Sequence, residues 1–119
     1  MVQVKCYGHR AALEGNREAL STAVQAALGT AFGVSGQQCF QRFIGLEAAD
    51  FIHPDDRSEQ YTIIEIVCRE GRASEAKKAL IRLLYDEIAQ RAGIGAADVE
   101  IILFETPASQ WGIDGRVGT

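Results

Sequence analysis

Thr62-Ile63-Ile64-Glu65-Ile66-Val67 decides the fold, because the same outline stands sixty positions earlier in Val2-Gln3-Val4-Lys5-Cys6-Tyr7, with no gap needed to bring the two together. The correspondence runs on. Arg17-Glu18-Ala19-Leu20 faces Lys77-Lys78-Ala79-Leu80, and Phe32-Gly33-Val34 faces Ala92-Gly93-Ile94. Self-similarity at a fixed offset marks a duplicated structural unit. Each copy opens on a strand-like run, passes into a three- and four-residue periodicity, and closes on a second strand-like run, Cys39–Leu46 or Val99–Phe104. That order is β-α-β.

In the first periodic stretch Leu13, Leu20, Val24, Ala27, Leu28 and Ala31 form an apolar stripe; in the second Ala76, Leu80, Leu83, Leu84 and Ile88 do so. Such spacing predicts two amphipathic helices. Ser74 reads as the N-cap of the second, and Gly33 and Gly93 as the stops. The strands predicted are Val2–Tyr7, Cys39–Leu46, Thr62–Cys68 and Val99–Phe104. Right-handed crossovers make the pairs within each unit parallel and put both helices on one face of a four-stranded mixed sheet. Along the third strand Ile63, Glu65 and Val67 alternate with Thr62, Ile64, Ile66 and Cys68, so neither face is polar enough to meet water. Self-association through the helix-free face follows.

At 119 residues the chain suits one α/β domain: residues 1–46 and 62–105 as the two units, 47–61 as a linker loop, and 106–119 as a glycine-rich tail holding a loop or short hairpin. The formal charge of −4 excludes the basic footprint of a nucleic-acid or anionic-membrane binder. No segment reads as a leader or a membrane span, and the chain is expected in the cytoplasm. Cys6, Cys39 and Cys68 are odd in number and lack a C-x-x-C pair, so they read as reduced packing residues; Cys68 beside Arg69 comes nearest to a reactive thiol. His53 with Asp55 and Asp56 crowds one loop without metal-ligand spacing, and His9 has no evident partner, so no metal is expected. Phosphate-cradling glycine motifs and a nucleophile elbow are absent.

The duplicated unit, the phrase Arg69-Glu70-Gly71-Arg72 leading into a helix, and Glu105-Thr106-Pro107-Ala108-Ser109-Gln110-Trp111-Gly112 together resemble the tautomerase superfamily. Within it the chain is most similar to the branch of malonate semialdehyde decarboxylase and cis-3-chloroacrylic acid dehalogenase, and Asp56-Arg57-Ser58 and Tyr61–Ile66 resemble uncharacterised bacterial members of that branch. The resemblance implies a homotrimer with its sheets facing inward. It also implies small carboxylates or 2-oxo acids as ligands, and no metal or organic cofactor.

It further implies a catalytic N-terminal proline. Here that position is Val2: with Met1 retained the amine sits one residue too far out and the shuttle is lost, with Met1 removed Val2 offers a primary amine, and otherwise Val2 is simply the first strand residue. Arg69 and Arg72 match the two arginines that hold a substrate carboxylate, as a guanidinium fork does well. Asp114 lies one residue beyond the branch's water-activating glutamate, whose own place is taken by Ile113. Gln38 replaces the decarboxylase's aspartate, and a neutral amide cannot do that proton work. Trp111 matches a pocket-wall tryptophan or plugs a subunit seam. Arg42, between Phe40 and Ile44, either meets a ligand or pairs with Glu65 or Glu105. Two functions stay open: a weak tautomerase of 2-oxo acids, and a non-catalytic carboxylate-binding or assembly protein on the same fold. A ferredoxin-like regulatory domain, with an antiparallel sheet, is a third.

Overall fold

The computed structural model describes residues 1–118; the predicted tail extends to Thr119, which lies outside the described residues. Strand β1 (Val2–His9) leads directly into helix α1 (Arg10–Phe32), and β2 (Cys39–Leu46) completes the first unit. The second unit is β3 (Thr62–Arg69), α2 (Ser74–Ala92) and β4 (Val99–Thr106). The offset of sixty holds to the residue for all four strands and for both helix ends. It also holds for the single 3-10 turns Gly36–Gln38 and Ala96–Asp98, and for Ala48–Asp50 and Ala108–Gln110.

The sheet order is β2-β1-β3-β4. Each unit contributes a parallel pair, and the units join through antiparallel β1 and β3, with Val2 opposite Cys68 and Gly8 opposite Thr62. Parallel outer pairs exclude the antiparallel sheet of the ferredoxin-like alternative. Residues at even positions of β1 and β3 are buried against the helices: Val2, Val4, Cys6, Ile64, Ile66 and Cys68 share one core with Leu20, Val24, Leu28, Leu80, Leu84 and Ile88. Burying each of those aliphatic side chains contributes about 1.5–3 kcal/mol. Both helices therefore lie on one face, as the apolar stripes predict.

Both helices stop on a glycine in the left-handed region, Gly33 at φ 66° and Gly93 at φ 68°, a conformation that costs glycine nothing. The start of α2 differs from the sequence expectation. Ala73 is its N-cap, without a side-chain hydrogen bond, and Ser74 is already the first helical residue. The cause lies just upstream: Gly71 at φ 119° breaks the chain direction, so residues 70–73 stay out of the helix where the first copy is already helical.

The helix-free face carries Phe40, Ile102 and Phe104, with 43%, 37% and 45% of their surface open. In the row between them Lys5 meets Glu65 at 3.7 Å. This exposed apolar surface on a sheet is what the strand pattern anticipates. No helix among the described residues is long and apolar enough to cross a membrane.

Candidate active site

The ladder sets where the chain start falls. Val2 pairs with Cys39 on one side and Cys68 on the other, so Met1 leaves the sheet between Gln38 and Arg69. Val2 itself points toward the helices and is wholly buried. Alternation along β1 and β3 aims residue 1 and Arg69 the other way. Burial, first, and the guanidinium groups of Arg69 and then Arg72 hold the Met1 amine below its ordinary 8.0, with Cys68 opposing weakly. Desolvation and two nearby cations both disfavour the ammonium form.

Arg72 reaches this place because Gly71 keeps it off the helix. Its Nη1 donates to the Arg69 carbonyl oxygen at 3.3 Å, and its guanidinium carbon lies 4.2 Å from the centroid of the Phe32 ring. The equivalent position of the first copy, Ala12, is inside α1. Glu75, the first carboxylate after Arg72 in the chain, pairs with Lys78 at 3.7 Å. Arg69 lines a cleft of about 200 Å³ with Ile113, Arg116, Val117 and Gly118, and its Nε is buried without an acceptor. The Cys68 thiol, although Arg72 is near, is pushed up by burial, so the reactive-thiol alternative lacks a thiolate. Burial alone pushes Cys6 up to about 12.

The remaining sequence candidates fall at other distances from the amine. Gln38 ends the 3-10 turn just before β2, next to the chain start, but its Oε1 accepts from the Ser35 backbone N–H at 3.1 Å and closes a capping box. Trp111 is buried within the tail; its backbone N–H donates to the Ala108 carbonyl oxygen at 3.1 Å and its own carbonyl accepts from the Gly118 backbone N–H at 2.9 Å. Asp114 forms the tip of a hairpin between β5 (Gly112–Ile113) and β6 (Arg116–Val117). Asp114 at φ 53° and Gly115 at φ 74° are the two positive-φ residues of a type I′ turn. Arg42 is exposed in the middle of β2. The expected ion pair is not formed, because Glu65 meets Lys5 and Glu105 meets Lys77 at 2.8 Å.

At the far end of the sheet the duplication places His9 where Arg69 stands and Phe51 where Trp111 stands. There His9 has a partner that the sequence did not reveal: its Nε2 lies 2.8 Å from Nε2 of His53. The His53 Nδ1 faces the Pro54 carbonyl oxygen at 3.1 Å, which can only accept. With both rings neutral, His53 Nδ1 carries the hydrogen and His9 Nε2–H donates to the bare His53 Nε2. Phe51 and Tyr61, stacked at 25°, close the cluster and hold the linker against β1.

Sequence reasoning missed two residues beside the arginine pair, Phe32 against Arg72 and Arg116 in the cleft of Arg69. In the sequence Phe32 enters only through its match to Ala92 in the repeat, although an aromatic beside a helix stop is a platform for a cation. Arg116 lies in the tail, where the Asp114-Gly115 pair was the signal that a hairpin would fold it back.

Residues 38–114, well over half of the chain, match the family described as "Tautomerase enzyme". A probable tautomerase of Ralstonia nicotianae is 38% identical over 53 residues, which are 44% of this chain and 76% of that one. Among solved structures, malonate semialdehyde decarboxylase superposes with a TM-score of 0.85 at 22% identity, covering 96% of this chain and 92% of that one. A fused 4-OT wild-type asymmetric trimer gives a TM-score of 0.84 at 19% identity, covering 97% and 94%.

Proposed function

The chain belongs to the tautomerase family, and from that membership we propose that it slowly interconverts the enol and keto forms of small 2-oxo acids, with its N-terminal amine moving the proton. Arg72 and Arg69 hold the substrate carboxylate. The neutral amine takes the enolic O–H proton, guanidinium charge steadies the enolate oxygen, and the ammonium returns the proton to the neighbouring carbon. Atoms balance without a co-reactant. The observation that carries this proposal is the Met1 amine, partly desolvated and within the field of Arg69 and Arg72, so that a larger fraction is free base near neutral pH.

A primary amine on a flexible residue is a poorer shuttle than a ring nitrogen fixed in place, hence the slow rate. If Met1 is removed in the cell, the amine moves to Val2, inside the ladder between Cys39 and Cys68. Val2, buried in the core where the family resemblance calls for a proline, is the observation that favours the second proposal, a carboxylate-binding protein without turnover. We further propose that the chain assembles as a homotrimer through its open sheet face, as the apolar Phe40 and Phe104 and the fused 4-OT trimer suggest.

Ketonisation of the enol of phenylpyruvate, followed by its ultraviolet absorbance, tests the first proposal. A rate above buffer that falls in Arg72→Ala supports catalysis, and a rate equal to buffer overturns it. Calorimetric binding of phenylpyruvate without turnover would select the binding protein. Intact mass of the protein from its native host shows which residue bears the amine.

A further inference from the structure

The chain has two histidines, and the fold brings them together from forty-four positions apart. His9 ends β1 and His53 lies in the linker 47–61. Their Nε2 atoms are 2.8 Å apart, their ring centroids 5.1 Å apart, and the ring planes cross at 74°. Within the linker alone the spacing gave no reason to expect a metal; the second imidazole comes from another element.

An imidazole serves as a metal ligand through a bare nitrogen, commonly while its other N–H is held by a carbonyl oxygen. His53 meets that condition, because Nδ1–H donates to the Pro54 carbonyl oxygen at 3.1 Å and leaves Nε2 bare. In His9 the hydrogen sits on Nε2, between the rings, and Nδ1 has no hydrogen-bond partner among the described residues. Moving that hydrogen to Nδ1 through water bares the second Nε2. Both rings stay neutral and no proton is released. Two nitrogens, each about 2.0–2.1 Å from one ion, stand about 2.9 Å apart at a right angle and about 3.3 Å apart at the tetrahedral angle. From 2.8 Å, a tilt of the two rings reaches either.

The surroundings hold the rings and accept positive charge. Phe51 packs on both histidines, with centroids 4.9 Å from His9 and 5.3 Å from His53, and Tyr61 lies 5.1 Å from His53. The nearby cations are already engaged: Arg10 pairs with Glu47 at 2.6 Å, and Arg57 pairs with Asp56 at 3.5 Å and donates to the Ala97 carbonyl oxygen at 2.7 Å. Glu59 lines a cavity of about 250 Å³ together with His9 and Glu47, and Asp98 adds carboxylate charge on the His53 side. That cavity has room for several waters. Among the described residues no group of three protein ligands forms, so water fills the remaining coordination positions. Hard ions such as Mg²⁺ want oxygen ligands, and structural zinc wants four protein ligands, whereas imidazole nitrogens favour the late first-row ions.

We propose that His9 and His53 form a binding site for a late first-row divalent cation such as Ni²⁺ or Cu²⁺, held through both Nε2 atoms with water completing the shell. The bound ion clips the linker to β1. The site lies at the opposite end of β1 from the amine and takes no ligand from it.

The untagged full chain is titrated with NiCl₂. With two histidines in the chain, the imidazole C–H proton resonances report on these rings alone. Ni²⁺ below one equivalent is expected to broaden the resonances of both rings together, and calorimetry to count one ion per chain. His9→Gln and His53→Gln should each weaken binding by more than about tenfold. Tm of the native chain should rise with Ni²⁺ concentration, because the ion joins the two segments only when the chain is folded, and Tm of the variants should not. Mg²⁺ at the same concentration should change neither spectrum nor Tm. Resonances that stay sharp, broadening confined to one ring, or an affinity unchanged in both variants would overturn the site. The spectrum of the native chain gives this answer even where a variant fails to fold.

Discussion

Replacing Arg72 by alanine removes two contacts that the structure shows and a third that the proposed function adds. The guanidinium over Phe32 at 4.2 Å is worth about 0.5–2 kcal/mol, and the hydrogen bond to the Arg69 carbonyl about 0.5–1.5 kcal/mol. Arg72 is half-buried, so a loss near 2 kcal/mol is expected, equivalent to a fall of about 8 °C in Tm for a domain of this length. Under the proposed function the third loss is the carboxylate contact, about 2–3 kcal/mol of transition-state stabilisation, or about 30- to 150-fold in kcat/KM. A domain with about 5–15 kcal/mol to begin with stays more than about 99% folded at 25 °C after losing 2 kcal/mol. Unfolding therefore cannot account for the rate loss. The assay is urea unfolding and ketonisation of the phenylpyruvate enol on the same sample at 25 °C. A drop in kcat/KM below about threefold with the expected fall in stability would reduce Arg72 to a structural residue, and an unchanged Tm would refute the stacking.

The amine gives a pH signature. Because its value in the folded chain is below 8.0, the folded chain binds fewer protons than the unfolded one between those two values. Unfolding free energy from this group therefore rises with pH across that window and is lost as pH falls through the folded value. The kcat/KM profile should inflect below pH 8.0, and Arg69→Gln should move the inflection upward; an inflection unmoved by that change would show the arginine remote from the amine. Gly118→Ala must push the Ala108 carbonyl or the hairpin aside, so Trp111 fluorescence should shift to the red while Tm falls by a few degrees, and an unshifted spectrum would contradict the packing. Phe104→Asp places a charge on the open sheet face and is expected to leave a monomer by sedimentation, whereas an intact assembly would place the subunit contact elsewhere.

Some of this molecule was written in local pattern. Strand and helix periodicities and the glycine stops depend on neighbours within a few positions, so Gly93 reads the same in isolation as in the fold, while the strand read as Val2–Tyr7 runs two residues further, to His9. The two apolar sheet faces followed from alternation alone, and with them the expectation that copies of the chain associate. Arg69 and Arg72 stood out because a guanidinium pair between strand and helix is legible as spacing.

What tertiary structure decided is whatever depends on two distant segments meeting. Antiparallel register between β1 and β3 puts the chain start beside Arg69, and no property of Met1 announces it. Gly71 takes Arg72 out of the helix and onto Phe32, forty positions away; His9 finds His53 across the linker; the type I′ turn at Asp114-Gly115 folds Arg116 back over Arg69's cleft. Glu65 and Glu105, each with two candidate cations, chose lysines over Arg42 because register and helix packing placed the lysines closer. Charge and hydrogen-bond partners are set by distances of a few ångströms between residues far apart in sequence, and only the packed chain fixes those distances.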